Sequence, residues 1–129
     1  MVTKTPLYLT PVQAGFPSPA DDFIDTHLDL NEHLIRHPAA TFFVRAEGNS
    51  MIYAGIQSGD ILVVDRALRV DNNAVVVAAV NGELTVKRVR RENERVWLMP
   101  ENPLFQPIEI TEEMEVSVWG VVTHVVHRV

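Results

Sequence analysis

Cysteine is absent from this 129-residue chain, which removes disulfides, thiolate nucleophiles and cysteine-based zinc or iron–sulfur sites together. Long apolar runs are missing as well. The longest, Ala74 to Val80, has seven residues, where a membrane span needs about 18 or more. The first twenty residues hold four prolines and no apolar stretch of the kind a secretory signal carries. Basic side chains are the minority, 11 against 17 acidic, for a formal charge of −6. A chain poor in positive charge lacks the phosphate neutralisation from which autonomous nucleic-acid binding draws most of its affinity. These absences point to a soluble, cytoplasmic protein and leave protein partners open. What is present is ordinary for one globular domain: 47% hydrophobic and 22% charged residues, in a length able to bury a hydrophobic core.

Composition shifts near residue 40. Pro6, Pro11, Pro17 and Pro19 lack backbone donors and fix φ, so residues 1–20 read as an extended arm. Asp21 to His37 reads as a short helical region, with Leu28, Leu30, Leu34 and Ile35 as its apolar positions and Pro38 as its stop. From residue 41 the pattern becomes that of strands: Thr41–Ala46, Ile61–Asp65, Ala74–Val80, Glu83–Arg90, Val96–Pro100 and Val116–Val126. Asn81-Gly82 separates two of these runs by two residues and predicts a hairpin with a type I′ turn; Asn102-Pro103 marks a further turn. The chain thus reads as a mostly β domain, residues 41–129, behind an irregular N-terminal arm, residues 1–40, that carries a short helix.

Three places in the sequence bear on chemistry. In Glu47-Gly48-Asn49-Ser50-Met51 a strand gives way to a turn before a segment, Met51–Ile56, able to make one or two helical turns. Ser50 there suits a helix N-cap; the same geometry leaves free N–H groups beside the hydroxyl, as an oxyanion hole requires. A serine nucleophile also needs a neighbouring base. The five histidines, at 27, 33, 37, 124 and 127, fall in no suggestive motif. His33 and His37, four residues apart, read as solvated rather than as a metal pair, since no further ligand accompanies them. Lys87 lies in the second strand of the expected hairpin, where a lysine ordinarily points to water. Alternation nevertheless puts Thr85, Lys87 and Val89 on one face. Burial there, with nearby arginines, would favour the neutral amine, and serine with a neutral lysine is a known hydrolase pairing. Finally, Ala14-Gly15 is a small peptide step in the arm, equally readable as a flexible joint.

Together these pieces resemble the LexA/UmuD family of self-cleaving serine–lysine peptidases. The resemblance runs from about residue 6 to 127, through Ala14-Gly15-Phe16-Pro17-Ser18-Pro19, Phe43-Val44-Arg45-Ala46-Glu47-Gly48-Asn49-Ser50-Met51, Gly59-Asp60-Ile61-Leu62-Val63-Val64-Asp65, Val80-Asn81-Gly82-Glu83-Leu84-Thr85-Val86-Lys87-Arg88 and Trp119-Gly120-Val121-Val122. It implies a curved, partly open β-barrel-like catalytic core that forms a homodimer. It implies Ser50 as nucleophile, Lys87 as general base, the Ser50 and Met51 backbone amides as oxyanion hole, and Ala14–Gly15 as the bond cleaved, with no cofactor or metal. It also implies stimulation by a RecA–single-stranded DNA filament, and service of the shortened dimer as accessory subunit to a UmuC-type Y-family polymerase in the SOS response. The related repressors place a helix-turn-helix domain before the cleavage site; the fourteen residues before Gly15 are too few for one, which disfavours a repressor. Alanine rather than cysteine before the scissile glycine looks like the repressor branch.

Two other readings of the residues stand beside this one. The chain could be a non-catalytic dimeric interaction module that binds a polymerase subunit, with Arg88, Arg90, Arg91 and Arg95 as a docking surface. Residues 83–95 carry a net charge of only +2, which favours a solvated strand edge. A signal-peptidase-like enzyme would share the serine–lysine chemistry but would need a membrane anchor.

Overall fold

Branched and aromatic residues gather in short runs bounded by Gly, Asn, Asp and Pro, and these runs become the strands. The computed structural model describes residues 5–9, 11–16 and 24–129. It divides into two compact units, one ending at Arg36 and the other spanning His37–Val129.

In the first unit β1 (Thr5–Tyr8) pairs antiparallel with β2 (Ile24–Leu28), and α1 (Leu30–Leu34) follows. Two expectations change here. The helical region expected over 21–37 shrinks to one turn. The Asp29 carboxylate accepts the Asn31 N–H at 2.9 Å and so starts that helix at Leu30. Upstream, β-branched Ile24 and Thr26 alternate along a strand instead; residues 21–23 lie outside the described residues. The arm, expected to be extended, is a strand over Thr5–Tyr8, and its pairing with β2 is what the sequence reading did not include. Pro6 sits opposite His27 without penalty because a two-stranded sheet has only edges. Residues 11–16, with Ala14 and Gly15, are irregular and exposed. Pro17 and Pro19 lie outside the described residues.

The second unit is one seven-stranded antiparallel sheet. Its strands are β3 (Thr41–Arg45), β4 (Ile61–Asp65), β5 (Val75–Val80), β6 (Glu83–Glu92), β7 (Arg95–Met99), β8 (Ile108–Glu109) and β9 (Val116–Val126). They lie in the order β3-β4-β9-β5-β6-β7-β8. Irregularities in register at Val63/Val64 and at Val77/Ala78, both against β9, curl the sheet into a half-barrel. The six strands expected from the sequence are present with ends shifted by two residues or fewer. β8, two residues beside Pro107, escaped the sequence reading because it is too short to show alternation.

Side chains pack on both faces of this sheet, which explains the continuous apolar run of β5. Val77 joins Leu62, Val64, Met51 and Ile56 in one cluster. Its neighbours Val76 and Ala78 join Val89 and Leu98 in another. The β5–β6 hairpin closes through Asn81 and Gly82, with φ of 50° and 85°, as a type I′ turn demands. The long connection from β3 to β4 is pinned at its neck, where Ala46 N–H donates to Asp60 O and Gly59 N–H to Ala46 O, both at 2.8 Å.

Candidate active site

That pinned connection carries Ser50. Gly48, at φ 90°, turns the chain out of β3, and its amide donates to Ser58 Oγ at 3.1 Å. A single 3₁₀ turn, Ile52–Ala54, follows and is ended by Gly55 in the left-handed region at φ 82°. The N-cap position belongs to Met51, without a side-chain bond. Ser50 therefore caps nothing, and its hydroxyl is directed elsewhere.

It meets Lys87. Register places Lys87 opposite Val76 and Thr85 opposite Ala78, so both side chains share the face that the buried β5 residues occupy. Lys87 is 8% exposed. Its Nζ lies 2.7 Å from Thr85 Oγ1, 3.0 Å from Ser50 Oγ and 3.1 Å from the Val86 carbonyl oxygen. A neutral amine has two N–H donors and one lone pair. The Val86 carbonyl can only accept; with the Thr85 hydroxyl accepting as well, both donors of a neutral amine are used and its lone pair faces the Ser50 hydroxyl, whereas an ammonium would donate to all three. Burial pushes the Lys87 ammonium below its ordinary pKa, in the sense that assignment requires. The arginines expected to assist contribute nothing to the shift; neighbouring Arg88 is ion-paired with Glu101.

Ser50 opens into a cleft of about 450 Å³ lined by Val44, Ala46, Gly48, Met51, Ile56 and Leu84 among others. Among the described residues neither the Ser50 nor the Met51 amide donates to another group of the chain.

The loop is held from the far side by the segment after β7, which sequence reasoning missed. Glu101 N–H donates to Ser50 O at 2.8 Å, Tyr53 N–H donates to Glu101 O at 2.9 Å, and Asn102 Nδ2 donates to Asn49 O at 2.9 Å. Two of these three bonds are wholly main chain and the clamp joins residues about fifty positions apart, so no sequence pattern announces it.

Several of the remaining charged groups have structural partners. His37, expected to be solvated, is exposed but also meets the buried Asp65 carboxylate at 2.6 Å, and His127, in no motif, meets buried Asp60 at the same distance. No group of three or more His, Asp or Glu fit to hold a metal occurs among the described residues. Arg90 pairs with Glu92, and Arg95 pairs with Glu109 and lies over the Trp97 ring, so the basic patch is largely self-neutralised. No helix among the described residues is long and apolar enough to cross a membrane.

Residues 6–123 match the model of the Peptidase S24-like family. The chain is 45% identical over 129 residues to Protein ImpA of Salmonella typhimurium, an alignment covering 95% of this chain and 83% of that protein. It is 45% identical over 124 residues to Protein MucA of Escherichia coli, covering 95% and 84%. To the LexA repressor of Acidithiobacillus ferrooxidans it is 43% identical over 114 residues, covering 86% of this chain and 55% of the repressor. The chain belongs to the Peptidase S24-like family, the group of LexA and UmuD.

Proposed function

We propose that this chain is a serine endopeptidase whose substrate is its own N-terminal arm. The observation that carries the reading is the buried Lys87 amine 3.0 Å from Ser50 Oγ, with its two other partners both able to accept. Residues 1–40 act as the arm and residues 41–129 as the peptidase. The arm enters the cleft so that the Ala14 carbonyl oxygen meets the Ser50 and Met51 amides. Lys87 takes the Ser50 proton as Oγ bonds to the Ala14 carbonyl carbon. The tetrahedral intermediate collapses as the Lys87 ammonium returns that proton to the Gly15 nitrogen, breaking the Ala14–Gly15 bond. Water, deprotonated in turn by Lys87, then hydrolyses the Ser50 ester and releases residues 1–14. No cofactor is needed.

Only the fraction of molecules with the arm docked can react, so the uncatalysed step is slow. A RecA–single-stranded DNA filament that favours the docked state speeds it by population shift. The shortened homodimer then serves in the cytoplasm as accessory subunit to a UmuC-type Y-family polymerase in the SOS response. Its net negative charge suits a protein partner. Membership of a peptidase family and the similarity to ImpA, MucA and LexA support this reading. Incubation with RecA, ATP and single-stranded DNA, followed by intact mass, tests it. The expected product begins at Gly15; a chain of unchanged mass in the presence of an active filament refutes it.

A further inference from the structure

Glu101 touches both halves of the proposed site without entering it. Its backbone N–H holds the Ser50 carbonyl and its backbone oxygen holds the Tyr53 amide, at 2.8 and 2.9 Å. Its carboxylate accepts Arg88 Nε at 2.5 Å. Arg88 follows Lys87 directly on β6 and is fixed in turn by Nη1 on Asn73 O at 2.6 Å. Both side chains of the pair are about one-third exposed, at 32% and 33%. A lone pair at that exposure contributes little to stability. Its placement is what matters: the main chain of Glu101 is bonded to the nucleophile's loop while its side chain is bonded to the strand of the base.

We propose that Glu101, through Arg88, is a positioning residue that sets the separation between Ser50 and Lys87. This rests on the Ser50–Lys87 reading above. Without the ion pair, the two main-chain bonds still tether residue 101 to the Ser50 loop and the ladder still holds Arg88 opposite Met99, but the side-chain tie that fixes residue 101, two positions past the end of that pairing, against β6 is lost. The hydroxyl and the amine then sample longer separations, and proton transfer is lost steeply with distance. Neither Glu101 nor Arg88 touches the reacting atoms. The polar partners of Lys87 itself, Thr85, Ser50 and the Val86 carbonyl, are uncharged, and burial is the cause of its lowered pKa. The pair therefore acts on geometry and leaves the basicity of Lys87 alone.

Self-cleavage of the intact chain, followed across pH by intact mass, tests this. Glu101→Gln is the clean variant, since it keeps both main-chain bonds and removes only the charge that Arg88 meets. Glu101→Gln is expected to lower the alkaline plateau rate on the order of tenfold while the pH of half-maximal rate stays where the wild type has it. The charge-swapped R88E/E101R chain is expected to recover most of that loss. Three results overturn the proposal: a wild-type plateau in Glu101→Gln, a pH midpoint that moves with the rate, or a swapped chain as slow as Glu101→Gln. The swapped chain decides alone if Glu101→Gln fails to fold. A wild type that never shortens, or a Ser50→Ala chain that does, removes the self-cleavage reading and this one with it. A defect confined to the pair variants leaves the self-cleavage reading standing.

Discussion

Lys87 carries a conflict between stability and use. The folded chain binds this proton more weakly than the unfolded chain does, because burial disfavours the ammonium. Stability therefore rises with pH between the lowered native pKa and the ordinary lysine value near 10.5. Below that window the fold carries a buried charge whose ammonium has only neutral oxygen partners. Lys87→Met should accordingly melt at a higher temperature than wild type at pH 7 while losing all self-cleavage, a stability–activity trade-off readable by calorimetry and gel. An equal or lower melting temperature would show that the Thr85 and Ser50 bonds outweigh the burial. This residue was legible in the sequence because strand alternation groups Thr85, Lys87 and Val89. The Ser50 turn was legible because Gly48 and Asn49 break β3. Which of its two roles Ser50 takes was not legible: N-capping and exposure to a base use the same local pattern, and only the fold places Lys87 beside the hydroxyl. Glu101 was invisible for a similar reason, since its grip on Ser50 is main chain.

Among the elements, β9 does the joining, with β4 on one side and β5 on the other. Gly120 allows it to pass close to β4: a Cβ there would stand 2.7 Å from Val64 Cγ1 and 3.0 Å from the Asp65 carbonyl oxygen. Gly120→Ala should cost about 1–3 kcal/mol, as overpacking in a close-packed interior does, measured by urea denaturation; a neutral result would mean that β9 shifts freely. At its two ends β4 is flanked by buried Asp60 and Asp65. The Gln57 amide, then His127, holds the Asp60 carboxyl below its ordinary 3.8. Burial pushes Asp65 up, but hydrogen bonds from His37 and the Ala67 amide outweigh it and leave it lowered as well. Groups with depressed native pKa stabilise the fold above the unfolded value, and that contribution is lost as pH falls through the native one. Wild type should lose melting temperature between pH 5 and pH 3 more steeply than Asp60→Asn and Asp65→Asn do; parallel curves would dismiss both carboxylates as a source of acid lability. Element type followed the sequence wherever runs were long and β-branched. It failed over 24–28, where Asp25, His27 and Leu28 read as the continuation of a helix and pairing with Thr5–Tyr8 decides the outcome, because tertiary pairing overrides weak local preference.

On the scale of the whole molecule, the chain is an acidic, cysteine-free member of a peptidase family, with Ser50 on the β3–β4 connection and Lys87 on β6 brought together from 37 positions apart. Loss of residues 1–14 would remove one charged side chain, Lys4, and move the net charge from −6 to −7, which further disfavours direct contact with nucleic acid. The central claim is that the folded chain holds all the chemistry needed to cut its own arm, with Lys87 as base. Incubation of the purified chain from pH 7 to about pH 10, with intact mass read over time, tests this most directly, because deprotonating Lys87 needs no partner. The account predicts loss of residues 1–14 at a rate that climbs with pH and levels off below the ordinary lysine range. It also predicts no loss in Ser50→Ala or Lys87→Ala chains that melt cooperatively. A mass that stays constant at every pH, or arm removal that persists in both variants, would contradict it.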